Sequence, residues 1–175
     1  MNVLSDFIIP IIGLKLGNHT YEFEVDGTFF KEFEHSELKQ GFLNINLLLI
    51  KRSNLFELIF EVKGYVNSLC DRCGEEMKLY LDHKERRIMK FSHDDYSNTD
   101  EVEILREDEH EINVSHMIYE IIVLALPYRR LHTQEDGQSC NQDVLNKLEE
   151  YKEREDKNVV DDRWSALKDL LTEKE

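Results

Sequence analysis

Apolar and polar positions along the chain divide it into a β-rich first part and a helical second part. HTYEFEV (19–25) sets Tyr21, Phe23 and Val25 on one face and acidic residues on the other, the period-2 pattern of a half-buried strand. FIIPIIGLKLG (7–17) is a strand candidate in which Pro10 marks an edge or a bend. DGT (26–28) predicts a turn and FFKEF a short helical turn. GFLNINLLLI (41–50) and LFELIFEVKGYV (55–66) predict two strands joined by KRSN (51–54). In MKLYLDHKERRIMKF (77–91), Met77, Leu79 and Leu81 share a face, so this run should pair back onto the strand before it. SHDDYSNTDE (92–101) is acidic and aperiodic, which predicts a loop or disordered insert. VEIL (102–105) follows as a short strand and REDEHE (106–111) as an acidic turn.

The period then changes to that of a helix. INVSHMIYEIIVLALP (112–127) spaces Val114, Met117, Ile118, Ile121, Ile122 and Ala125 along one stripe, with Asn113 or Ser115 as cap and Pro127 as stop. YRRLHTQEDGQSC (128–140) predicts an irregular loop, and NQDVLNKLEEYKERE (141–155) a helix with Val144, Leu145 and Leu148 on one stripe. DDRWSALKDLL (161–171) predicts a short terminal helix carrying Trp164, Leu167, Leu170 and Leu171. The expected fold is α+β: a mostly antiparallel sheet or partly open barrel of five to seven strands, then C-terminal helices. Residues 1–140 should form a β-rich domain with a packing helix over 113–126, and residues 141–175 a helical extension.

Charge narrows the function classes. The net charge is −15, with 3 Lys/Arg against 12 Asp/Glu over residues 94–140. Nucleic acid is repelled at long range by such a chain, because phosphate binding depends on Lys and Arg displacing counterions. Any RNA contact must use a local patch, for which Arg72, Lys84, Arg86, Arg87, Arg129 and Arg130 are the candidates; solvated charges on strand faces are the plainer alternative. No apolar run is long enough to span a membrane, and MNVLSDFIIPIIGLKLG lacks a basic leader and a small-residue cleavage site. Three cysteines are too few for a secreted disulfide scaffold. A cytoplasmic protein is expected.

Chemistry concentrates in Leu69-Cys70-Asp71-Arg72-Cys73-Gly74, where two strands meet as a hairpin. Such a turn brings both Sγ atoms to one side, Gly74 can take the positive φ that bends the chain back, and backbone N–H groups can face the sulfurs. A structural zinc site takes four Cys or His ligands. Cys140 supplies the third, no other cysteine being present, and His132, eight positions earlier on the same loop, is favoured as the fourth; Asp136 or a water is the alternative. Free reduced thiols remain open as another account. A redox pair fits poorly, since that motif opens a helix and here an alternating strand follows, while a structural disulfide does not suit a reducing compartment. His19, His35, His83, His93, His110 and His116 have no partner at ligand spacing. Phosphate-cradling glycine loops, G-x-S-x-G and H-E-x-x-H are absent. A Cys₂His site with an open position could activate water, but no neighbouring general base is evident, so no enzyme is expected.

Cys70-Asp71-Arg72-Cys73, the helix ending Leu124-Ala125-Leu126-Pro127 with His132 beyond it, and Asp162-Arg163-Trp164 with Leu167 occur in an order and spacing that resembles the YceD family, the large ribosomal RNA subunit accumulation proteins, in the form found in Bacteroidetes-like bacteria. The resemblance covers most of the chain. It implies a bacterial cytosolic protein linked to accumulation or processing of large-subunit rRNA, whose partner is that rRNA or a ribosomal precursor. Many members carry a second cysteine cluster after the helix; this chain keeps only Cys140, so a complete four-cysteine site is replaced by a set that includes His132. Two other functions compete: an acidic adaptor that recruits a basic ribosomal protein, and a metal-dependent RNA hydrolase.

Overall fold

A computed structural model describes residues 3–92, 102–106, 109–132 and 139–153. A 3₁₀ turn (Val3–Phe7) leads into β1 (Ile8–Pro10), then β2 (Gly17–Val25), α1 (Gly27–Lys31), β3 (Gly41–Lys51), β4 (Leu55–Leu69) and β5 (Glu76–Ser92). After these come β6 (Val102–Arg106), β7 (Glu111–Asn113), α2 (Ser115–Leu124) and α3 (Gln142–Glu153). Five strands form one open sheet in the order β2-β3-β4-β5-β6, and β1 pairs with β7 in a separate two-stranded ribbon. The fold is α+β and the large sheet is not closed into a barrel.

Alternation decides which way the sheet faces. Leu43, Ile45, Leu47 and Leu49 of β3 are buried together with Phe56, Leu58, Phe60 and Val62 of β4, and the register sets Leu47 opposite Phe60 and Ile45 opposite Val62. The 3₁₀ turn, the β1–β7 ribbon, α1 and α2 close this inner face: Phe7 stacks on Phe23 at 5.3 Å, and Ile9, Phe29, Ile112, Ile118 and Ile122 join the same core. Each large side chain so buried contributes roughly 1.5–3 kcal/mol. Asp26 starts α1, its carboxylate accepting from the N–H groups of Thr28 and Phe29. On the outer face Glu57 is held between Arg86 (2.6 Å) and Arg52 (3.3 Å), which keeps its carboxyl below the usual range, chiefly through the Arg86 hydrogen bond.

Several expectations shift. The strand expected over 7–17 contracts to Ile8–Pro10. Ile112 and Asn113, expected to open the helical run with Asn113 as a cap, instead belong with Glu111 to β7, because Ile9 pairs with Ile112 across the molecule. α2 therefore runs from Ser115 to Leu124, inside the expected 113–126. Its first bond comes from Asn113, whose Oδ1 accepts from the Ser115 N–H at 3.0 Å; Ser115 itself is already inside the helix and buried. β6 runs parallel to β5, so the sheet is mixed. The expected 92–101 loop, apart from Ser92 at the end of β5, lies outside the described residues, as do Asp136 and the terminal helix over 161–171.

Candidate metal centre

The β4–β5 hairpin ends in a turn set by short-range bonds. Gly74 N–H donates to the Cys70 carbonyl at 2.8 Å, Cys70 N–H donates to Glu75 O at 2.8 Å, and Gly74 takes a φ of 75°. A side chain would strain that φ. The turn leaves Cys70 buried and Cys73 partly so.

The loop after α2 is carried to this turn by bonds between distant residues. Asp71 N–H donates to Arg130 O at 2.8 Å, and Arg130 N–H returns a bond to the Asp71 carboxylate at 2.7 Å. The Arg130 guanidinium donates to Ser68 Oγ at 3.0 Å and to Glu37 at 3.3 Å. The Asn141 side-chain amide donates to Glu75 at 2.7 Å, and the Asn141 side chain also accepts from the Asp143 N–H at 2.9 Å as α3 begins. Both ends of the 132–140 segment are thereby fixed beside the hairpin.

The ligating atoms of Cys70, Cys73, His132 and Cys140 then lie within 4.8 Å of one another, the one group of three or more metal-ligating side chains so clustered among the described residues. Cys70 Sγ and Cys140 Sγ are 3.8 Å apart, and Cys73 Sγ and His132 Nδ1 3.4 Å. Tetrahedral zinc with its usual bond lengths sets S···S edges of about 3.8 Å and S···N edges of about 3.6 Å. The three thiols are free. Burial pushes the Cys70 thiol up, but backbone N–H groups of Cys73, Arg72 and His132, with the Cys73 side chain, outweigh it and bring it from 9.0 down to about 6. Cys140 is pushed up by burial and by lying against Cys70 and Cys73. One thiolate forms readily and opposes the next, a conflict that a divalent cation relieves. The four residues could hold a metal ion.

The six basic candidates do not form one patch. Arg72 and Arg129 are exposed beside the hairpin turn, while Arg130 is engaged in holding the loop. Lys84 and Arg86 lie on the outer sheet face, bonded to Glu61 (2.7 Å) and Glu57. Arg87 points the opposite way, half-buried, towards Glu85 (3.6 Å) and Glu120 of α2 (3.8 Å). Asp71, Glu75, Ser68 and Glu37 were not expected in the site; their roles come from contacts between residues far apart in sequence, and no local pattern announces them.

Among the described residues no helix is long and apolar enough to cross a membrane. No curated protein and no solved structure gives a significant match to the chain. A family model described as large ribosomal RNA subunit accumulation protein YceD matches residues 58–171. That span starts within β4 and takes in the hairpin turn, α2 and all four clustered ligands, and with most of the length matched, the chain belongs to the YceD family.

Proposed function

We propose that this protein is a non-enzymatic, cytoplasmic ribosome-biogenesis factor that supports accumulation or processing of large-subunit rRNA. Zinc held by Cys70, Cys73, His132 and Cys140 pins the loop after α2 to the β4–β5 hairpin and shapes a surface, around Arg72 and Arg129, for RNA or a precursor particle. The observation that carries the reading is the four-donor cluster within 4.8 Å, lying inside the span matched by the family model. Four protein donors complete a tetrahedron, the mark of a structural rather than a catalytic zinc, so the hydrolase alternative loses its open position. Elemental analysis of the purified protein is expected to return stoichiometric zinc, lost in both Cys140→Ser and His132→Ala. Deleting the gene should raise precursor and lower mature large-subunit rRNA. Unchanged rRNA levels would remove the biogenesis role, and a metal-free protein would remove the zinc.

The net charge of −15 favours a second reading, an adaptor that recruits a basic ribosomal protein by presenting an acidic surface. Co-purification that survives nuclease treatment would favour the adaptor; association lost with the RNA would count against it.

A further inference from the structure

The outer face of the large sheet carries a feature that the metal centre does not explain. Phe42 of β3 pairs in register with Tyr65 of β4, and Tyr65 with Tyr80 of β5. The three rings form a row across neighbouring strands, spanning about 10 Å at the usual strand spacing. Phe42 is 42% and Tyr80 66% exposed. The Tyr65 and Tyr80 ring centroids are 6.1 Å apart, and Lys78 sets its ammonium over the central Tyr65 ring, 4.4 Å from its centroid.

The backbone is built to bring these strands together there. Gly64 holds a φ of 148°, and a Cβ on it would lie 2.2 Å from the Phe42 carbonyl oxygen; a Cβ on Gly41 would lie 2.8 Å from the Tyr65 oxygen. The two glycines flank the aromatic pair on either side.

The surroundings specify a partner. Lys39, Lys63, Lys78 and Arg130 lie around or beside the row against Glu37, Glu75, Glu76 and Asp82, a local balance of charge in a chain of net charge −15. Two of these carboxylates are already tied, Asp82 to Lys63 at 3.8 Å and Glu37 to Arg130 at 3.3 Å. Lys39 and Lys78 have no carboxylate partner among the described residues. Between the row and the hairpin turn lies a cavity of about 510 Å³ lined by Lys39, Gln40, Asn67, Leu69 and Arg130 among others, which adds amide groups able to meet base edges.

We propose that this face binds single-stranded RNA, with bases stacking on Phe42 and Tyr80 and phosphates taken by Lys78 over the Tyr65 ring and by Lys39 beside the row. Flat ring faces with single cations at their margin fit a polymer that alternates planar groups with singly charged anions. Stacking on aromatic side chains is tolerant of sequence and suits unpaired strands. It also lets an acidic protein hold RNA without a broad basic surface. The inference rests on the biogenesis reading for its choice of RNA, but uses residues distinct from Arg72 and Arg129.

The test is fluorescence anisotropy of the zinc-loaded, full-length protein with a fluorescein-labelled 12-nucleotide single-stranded oligoribonucleotide and the matching duplex. Tyr80→Ala and Phe42→Ala should each weaken binding roughly tenfold, as expected for loss of one stacked base, with unchanged circular dichroism, while Tyr80→Phe should retain it. Two phosphate contacts, at Lys39 and Lys78, predict a salt slope of about −1.4 in log–log form. Equal binding of duplex and single strand, a slope steeper than about −3, or indifference to both alanine variants would overturn the stacking surface. If wild-type protein binds no single strand yet rRNA accumulation still depends on the gene, the stacking surface falls and the biogenesis role stands. A photo-crosslinker at position 80 that captures protein and not RNA would likewise overturn it.

Discussion

Stripping zinc from the loaded protein should lower its melting temperature by about 8 °C. The metal would link Cys73 to His132, 59 residues apart, and Cys70 to Cys140, 70 apart. In the chain-entropy treatment of a cross-link, closing a loop of that length in the unfolded state is worth about 4 kcal/mol. For a chain of this size each kcal/mol moves the midpoint by roughly 2–4 °C, giving an outer range of about 8–16 °C. The lower end applies because the paired Asp71–Arg130 bonds, one backbone to backbone and one to the Asp71 carboxylate, hold part of the same loop without metal. Calorimetric melts at pH 7 of loaded and chelator-treated protein, each assayed for zinc, measure the difference. Cys140→Ser should melt like the stripped protein and ignore added zinc. Midpoints agreeing within about 1 °C despite proven loss of zinc would refute the cross-link reasoning.

Three further outcomes are expected. Gly64→Ala drives a Cβ into the Phe42 carbonyl at 2.2 Å and should cost on the order of 3 kcal/mol in urea unfolding; a loss below about 1 kcal/mol would mean that β3 and β4 are not held at that spacing. Asp26→Ala removes the acceptor for the Thr28 and Phe29 N–H groups and should cost about 1 kcal/mol by the same assay, with no change if the cap is idle. The Glu57 carboxyl is held below its ordinary 4.5, chiefly by Arg86. The folded state therefore binds its proton less readily than the unfolded chain, and the stability it contributes is present above pH 4.5 and lost as pH falls through the lower folded value. Glu57→Gln should flatten the acid limb of the stability–pH curve; an unchanged limb would show that the ion pairs carry no such linkage.

Strands β2 to β5 were legible in the chain because each alternates over a long run, and short connections join β3 to β4 and β4 to β5. Ile45, Leu47, Phe60 and Val62 announce their face without any knowledge of their partners. β7 was not legible: Ile112 continues an apolar series that suits a helix, and only the pairing with Ile9 makes it a strand. The parallel direction of β6 depends likewise on where the chain returns, which VEIL alone does not record. The clustered ligands were within reach because cysteine is scarce, so Cys140 had no rival, and His132 stood close to it. Arg130 shows the opposite case. Its sequence neighbours suggest a basic patch, whereas its guanidinium and backbone are engaged with Ser68, Glu37 and Asp71.

The separation of the ligands along the chain also orders events during synthesis. The β3–β4–β5 meander is complete once residue 92 is made, and hairpins of such local contact form early. β1 must wait for residues 111–113 before it finds its partner, and Cys70 and Cys73 wait for Cys140. At ordinary elongation rates the last ligand follows Cys73 by roughly 3–13 s. Throughout that interval the nascent sheet presents two uncapped thiols at its tip, and the closing of the cluster marks the moment when the hairpin tip and the loop after α2 are joined.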